Sequence, residues 1–307
     1  MTTDLVSAAF TVLLSDLRLT ARQRQLATGR IRHLRAVFEA YELSRPPQAI
    51  GSFGRGTLIR RERDVDVMVV LAARTYVDRY RRDSRAFLYW LREALCATYP
   101  TTSVSTRKVA LTMELGEGLG VDLVPVFDVS EVKSLSRLYR TLVPHPGDQG
   151  FYMPDGHRGW MKTNPLFHDE LMRQADQRLG GKLRPLVRLM KLWNLHEHGR
   201  LQSFHLEMLV ERVWREAAAM PSLPAAMAQT LRAVGQLADH RFHDPWPAGG
   251  WLDQHLDDRQ RRSKVVRSLR ADADRADQAL ALAARGDVAA ALERWSVVFG
   301  HDFPTLA

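Results

Sequence analysis

The chain has 307 residues, 45% of them hydrophobic and 26% charged, a globular composition with core enough for about two lobes at ~150 residues each. No apolar run reaches the roughly 18–20 residues that cross a bilayer, MTTDLVSAAFTVLLSD lacks the basic start of a signal peptide, and Cys96 as sole cysteine excludes an intrachain disulfide. The expectation is a cytoplasmic protein with no membrane partner, whose net charge of +9 and pI near 10.0 attract polyanions but fit an arginine-rich proteome equally well.

Ala27, Ile31, Leu34, Phe38 and Tyr41 recur at spacings of four and three, which predicts a helix over 20–42 with Thr20 as N-cap. Pro46 and Pro47 then break the chain. IGSFGRGT (50–57) reads as a glycine- and hydroxyl-rich loop, followed by a basic connector from Arg60 to Arg63. DVDVMVVL (64–71) alternates at its start and ends wholly apolar, as a strand entering a core does. A helix is expected over 75–98, with Tyr76, Tyr80, Phe87, Leu88, Leu91 and Leu95 inward. Strand-like alternation follows over 104–115, then a strand at VDLVPVF (121–127).

From about residue 160 the pattern turns helical. Over 184–197, Leu186, Leu189, Met190 and Trp193 share an apolar face, with Pro185 at an early position that proline tolerates. Arg184, Arg188 and Lys191 fall on the opposite side. A helix over 203–216 turns Leu206, Leu209, Val210 and Val213 inward, and 240–262 reads as irregular. Two closing helices are separated by Gly286-Asp287, a glycine stop and an aspartate N-cap, and the last buries Val288, Ala291, Leu292, Trp295 and Phe299. The order implies an α+β fold, a small mixed sheet packed by helices and then a helical lobe.

The chemistry concentrates in Gly51-Ser52, Gly56-Thr57 and then Asp64-Val65-Asp66. Residues two apart on a strand project to one face, so Asp64 and Asp66 stand side by side while Val65, Val67 and Val69 face the core. Like charges at that range repel, and a cation resolves the repulsion. Oxygen donors favour Mg²⁺ or Mn²⁺. Asp122 adds a third carboxylate inside an apolar strand, where an unpaired acid is costly. The glycines of the loop permit close backbone approach, and its amides can form an anion nest. Taken singly, GSFGRGT is an ordinary loop, an Asp-Val-Asp start is a turn and cap, and Asp122 is the partner of one of 44 Lys and Arg residues. The order of loop, connector, paired acids and later lone acid is what points to metal-assisted phosphoryl transfer.

Residues 50–71 resemble the signature of the polymerase-beta-type nucleotidyltransferases. LRPLVRLMKLWN (183–194), SFHLE (203–207) and AARGDVAAALERWSVVFGHDFP (283–304) resemble the bacterial cyclic GMP–AMP synthase-like enzymes, the CD-NTases of antiphage signalling. The likeness runs from about residue 22 to 304. It implies a catalytic lobe over 1–160, a helical lobe over 161–307 and an NTP cleft between them. It also implies two Mg²⁺ ions on Asp64, Asp66 and Asp122, with Gly51 and Ser52 at the triphosphate. Lys191 and Ser203 match a lysine and a serine that reach the same phosphates, and Phe204 matches a base-stacking aromatic that is often tyrosine. Asn164 falls where residues touch a nucleobase.

The implied product is a cyclic di- or trinucleotide made from NTPs, ATP among them, and read by a separate effector. An accessory regulatory protein is a further implied partner, and no stable nucleic-acid partner is required. Rival readings are a linear oligonucleotide synthase, a tRNA 3′-end transferase, and a nucleotide-binding sensor without turnover. Lys191 also reads as a solvated helix charge. His196, His198 and His205 lack the spacing of a zinc site and read as surface histidines, Trp193 and Trp295 read as core, and the terminal FPTLA (303–307) reads as an exposed attachment point.

Overall fold

The computed structural model describes residues 2–116, 118–135 and 149–304. Helix α1 (Thr2–Leu17) is followed by α2 (Ala21–Phe38), which starts at Thr20 as expected. The Thr20 hydroxyl accepts from the Gln23 amide at 3.1 Å, and the Gln23 side chain accepts from the Thr20 amide at 2.9 Å, a reciprocal cap that satisfies two free donors. The helix ends at Phe38, short of residue 42.

Pro46 and Pro47 do not break the chain, as the sequence suggested, but lie inside strand β1 (Leu43–Ala49). β1 sits at the sheet edge and pairs with β2 (Asp64–Leu71), with register slips on both sides of Arg45. A residue without an N–H is tolerated at an edge, where one side of the ladder is open. The glycine-rich stretch between them winds into a single turn, α3 (Gly51–Arg55), where a loop was expected. The helix expected over 75–98 is two helices, α4 (Ala73–Tyr80) and α5 (Ser84–Thr98). They are split at Asp83, whose side chain caps α5 by accepting from the Ala86 amide at 2.9 Å. The alternation over 104–115 is a hairpin of β3 (Ser103–Thr106) and β4 (Leu111–Glu114).

β5 (Gly120–Asp128) lies parallel to β2, with Asp66 opposite Asp122 and Asp64 opposite Gly120. After α6 (Val129–Ser134), β6 (Phe151–Pro154) and β7 (Trp160–Thr163) extend the sheet from the end of β5. The main path is β1-β2-β5-β4-β3. One face carries Val65, Val67, Val69, Val121 and Leu123 against Leu34, Phe38, Phe87 and Leu91 of α2 and α5. The other face carries the three aspartates and then Met68, Val70, Val124 and Val126, packed with Ile50, Phe151 and Leu166. Each central strand is thus polar at its start and apolar at its end on that second face.

The helical part comprises α7 (Pro165–Arg178), α8 (Leu183–His196), α9 (Ser203–Trp214), α10 (Leu223–Leu237), α11 (Arg259–Ala284) and α12 (Val288–Phe299). Its core includes Trp193 and Trp295, as expected, with Met190, Leu209, Leu231, Leu269 and Phe299. Asp287 caps α12, accepting from the Ala290 amide. Helix α1 joins this core rather than the sheet, burying Val6, Phe10, Leu13, Leu14 and Leu17, with Phe10 edge-on to Trp295 at 4.8 Å. Phe303 is also core, 2% exposed and stacked on Phe299, so the tail is anchored at that point rather than exposed. Residues 305–307 lie outside the described residues. Among the described residues, no helix is long and apolar enough to cross a membrane.

The face of α8 opposite its apolar stripe meets the segment after α3. Arg188 donates to the Gly56 carbonyl at 2.6 Å, Arg184 packs beside Gly56, and Lys191 reaches Glu62 at 3.0 Å. The basic stripe is therefore a contact between the helical part and the connector that leads into β2.

Candidate active site

Asp64, Asp66 and Asp122 occupy the polar ends of β2 and β5, on the face expected. Burial pushes the Asp66 carboxyl up to about 7, and Asp122 opposite adds to the rise against the pull of Arg55 and Lys191. Asp64 is also raised, by burial and then by Asp122. The Thr112 hydroxyl donates to Asp122 Oδ1 at 2.5 Å, and Arg107 Nε donates to the Thr112 hydroxyl at 3.1 Å. Among the described residues, no three His, Cys, Asp or Glu side chains close around one point as a metal cage. The three carboxylates are instead spread along neighbouring strands. Their chemistry still fits a hard divalent cation: a set of oxygen donors, mutually repelling and partly desolvated.

The turn before β2 explains its glycines. Gly51 has φ of 65°, and a methyl group there would collide with the Asp66 carboxylate. Glycine is needed twice over, for the left-handed backbone and for the carboxylate lying on its Cα. The Ile50 amide donates to the Asp66 carbonyl at 2.9 Å, which ties α3 to the metal-type strand. The amides of 51–53 form the first turn of α3 and so lack helical partners. The turn closes at Gly56, φ 72°, where the Thr57 amide returns to the Ser52 carbonyl at 2.8 Å. Ser52 itself is half-buried.

On the helical side the charges are paired. Glu207 is fully buried and accepts from Arg55 Nε and the Thr57 hydroxyl, each at 2.8 Å. Lys191 Nζ lies 3.0 Å from Glu207 Oε1 and 3.0 Å from both Glu62 oxygens. Burial alone would raise the Glu207 carboxyl, but Arg55 and Lys191 reverse it and hold it at about 2. Lys191 is 2% exposed, so the solvated-charge reading of it is wrong. Its bulk is buried by the helix contact, and its charge is held between two acids. Ser203 Oγ donates to Glu62 Oε1 at 3.4 Å, which brings Lys191 and Ser203 to one point.

Phe204 sits at the same junction, with the Arg55 guanidinium 5.3 Å from its ring centroid and the His168 ring edge-on at 4.8 Å. Asn164 lies apart, further along the aspartate face. It caps α7 by accepting from the Phe167 amide at 3.0 Å, and it lines a cavity of about 410 Å³ with Arg45, Asp128, Phe151 and Phe167. A larger cavity of about 540 Å³, at Arg200, His255 and Arg261, carries none of the expected site residues. His196 and His198 are exposed as expected. His205 is not. It is 1% exposed on the inner side of α9, and burial, with His255 beside it, lowers it to about 4.

Sequence reasoning placed Thr57 in the loop motif without its partner Glu207, and did not single out Arg55, Glu62, Thr112 or Glu207. Arg55 and Thr57 stand inside GSFGRGT and Glu207 closes SFHLE, so motif membership was the available signal for those three. Glu62, amid three arginines of the connector, and Thr112, on a hairpin strand, had none.

A match to the family described as Second Messenger Oligonucleotide or Dinucleotide Synthetase domain (SMODS) spans residues 4–176, more than half of the chain. The chain belongs to this family. As a SMODS protein it is a nucleotidyltransferase, and the expected CD-NTase kinship and enzyme class are borne out. The family is in general metal-dependent. The chain is 23% identical over 282 residues to a protein of Bacillus cereus named Probable cyclic nucleotide synthase, covering 83% of this chain and 81% of that one. It is 27% identical over 174 residues to the CBASS oligonucleotide cyclase CdnC of Escherichia coli, 53% of this chain and 49% of the relative.

Among solved structures, Escherichia coli CdnC in complex with HORMA-deltaN superposes with a TM-score of 0.75 at 18% identity, over 97% of this chain and 98% of that one. The CD-NTase CdnG of Bradyrhizobium diazoefficiens in complex with GTP gives 0.69 at 12% identity, over 95% and 98%. At such identities the likeness speaks to the fold, and it bears out the α+β, polymerase-beta-like architecture.

Proposed function

We propose that this chain joins NTPs, ATP among them, into a cyclic di- or trinucleotide second messenger in CBASS-type antiphage signalling. The observation that carries this is the in-register pair Asp66 and Asp122, with Asp64 beside them, facing the Gly51-Ser52 turn. Two lobes border the cleft, the sheet lobe up to about residue 160 and the helical lobe over 161–307, with α1 packed on the helical lobe and not, as the expected 1–160 boundary had it, on the sheet. The ring product leaves for a separate effector. Relatives support the reading by name: a CBASS cyclase, and one solved with a HORMA partner, which makes an accessory regulator of that kind part of the proposal.

Asp64, Asp66 and Asp122 are the residues that hold the metal, two Mg²⁺ ions with Mn²⁺ as substitute. Bound there, it neutralises the carboxylates and polarises hydroxyl and phosphate oxygens. Ser52 and the first-turn amides of α3 bind triphosphate oxygens from one side, Lys191 and Ser203 from the other, and this positioning supplies much of the rate. Phe204 stacks on a base, beside Arg55, and Asn164 contacts a base from the wall of its cavity. In each transfer an acceptor ribose oxygen bonds to an α-phosphorus as the bond to pyrophosphate breaks, and the last transfer closes the ring.

The test is incubation with each combination of labelled NTPs and Mg²⁺, then phosphatase and linkage-specific nucleases. A product untouched by phosphatase supports the cyclase. A phosphatase-sensitive ladder means a linear synthase, strict dependence on tRNA means the end-adding transferase, and binding without turnover means a sensor.

A further inference from the structure

Lys191 is held by two acids, and one of them is expendable. Glu207 is fully buried and also holds Arg55 and Thr57, so withdrawing it would leave the buried Arg55 guanidinium dependent on the longer 3.5 Å contact to Asp169. Glu62 differs on each count. Its side chain is 23% exposed, and it stands on the irregular connector between α3 and β2. Beyond Lys191 it meets Ser203 Oγ at 3.4 Å and the nearby Ile59 amide at 3.0 Å. Its carboxylate therefore lies on the lysine ammonium and the serine hydroxyl together, both groups that bind anionic oxygens.

We propose that Glu62 is an affinity-setting residue of the nucleotide site: its carboxylate occupies the phosphate position on Lys191 and Ser203 until an NTP replaces it. The exchange is like for like, an anionic oxygen for an anionic oxygen, so Lys191 stays neutralised throughout and Glu62 moves to solvent. This rests on the reading of Lys191 and Ser203 as triphosphate ligands. Its consequence is a reduced apparent affinity, because only the fraction of molecules with Glu62 displaced is competent to bind.

The experiment measures binding of inorganic tripolyphosphate and of ATP, each with Mg²⁺, by calorimetry on wild type, Glu62→Gln and Lys191→Gln. Glu62→Gln keeps an oxygen for the Ile59 amide and removes the charge. Its affinity for both probes should rise about tenfold, as for a competent fraction near one tenth, with KM falling and kcat held. Glu62→Asp, with a shorter arm, should fall between it and wild type and serves if the glutamine variant does not fold. Glu62 variants that bind no tighter than wild type, while Lys191→Gln binds weakly, overturn the proposal alone. Lys191→Gln binding both probes as wild type does overturns the phosphate-site reading beneath it.

Discussion

On the sheet side of the site, Asp64, Asp66 and Asp122 repel one another across neighbouring strands, while on the side that meets the helices Arg55, Lys191, Glu62 and Glu207 meet opposite charges at 2.8 to 3.0 Å. Burial pushes Asp66 and Glu207 in the same direction. Asp122 compounds that push at Asp66, which reaches about 7, whereas Arg55 and Lys191 overturn it at Glu207, which falls to about 2. Two buried carboxyls of one site thus diverge because of their neighbours and not their depth. One side gathers like charges, and the other carries its own counter-charge and joins the helices to the sheet.

The comparison breaks if the sheet acids turn out to hold the fold together. Asp66→Asn should cut product formation about a thousandfold or more, since metal-assisted charge stabilisation is worth several kcal/mol and each ~1.4 kcal/mol is tenfold. Its thermal midpoint without metal should hold or rise. The raised pKa makes the ionised form the costly one in the folded state. That cost is absent below about pH 4, grows as pH rises and is complete above about 7. The gain from Asp66→Asn should therefore be absent below about pH 4, grow across that window and persist in full above about 7, as scanning calorimetry against pH will read.

Glu207→Ala is the converse. It removes the buried acid that Arg55 and Lys191 share, leaving Arg55 to Asp169 at 3.5 Å and Lys191 to Glu62, and should cost about 3 kcal/mol in urea unfolding, with Glu207→Gln milder because it can still accept from Arg55 and Thr57. A loss of activity at unchanged stability would erase the distinction between the two sides. The smallest effect sharpens the picture at the junction. Phe204→Ala should weaken NTP binding by about 1–3 kcal/mol, the worth of a base on an aromatic ring, while Phe204→Tyr should be near neutral in the same titration.

The sheet side was legible in sequence because it is local. Gly51, Ser52, Asp64 and Asp66 stand within sixteen positions, and period-two alternation alone assigns each acid its face. Asp122 was legible because an acid in an apolar strand is conspicuous. The helical side was not, because its pairs join residues far apart: Arg55 to Glu207, Thr57 to Glu207, and Glu62 to Lys191. Periodicity assigned Lys191 to the polar face of α8 correctly but could not say that the face is covered. The proline pair misled for a related reason, since only the sheet's edge makes Pro46 and Pro47 acceptable in a strand. Helix α1 was opaque as well, because nothing in its own sequence shows that its partner is α12 at the far end of the chain.

The central claim, that the sheet acids form a cation site while the helical network does not, is tested most directly by titrating Mg²⁺ into metal-free protein and following the thermal midpoint. Wild type should be stabilised progressively, by the mass action of an ion that binds only the folded state. Asp66→Asn should start at an equal or higher midpoint and gain little, and Glu207→Gln should start lower and gain as much as wild type. A midpoint in wild type that ignores Mg²⁺, or an Asp66→Asn protein that gains as much as wild type, would contradict the account.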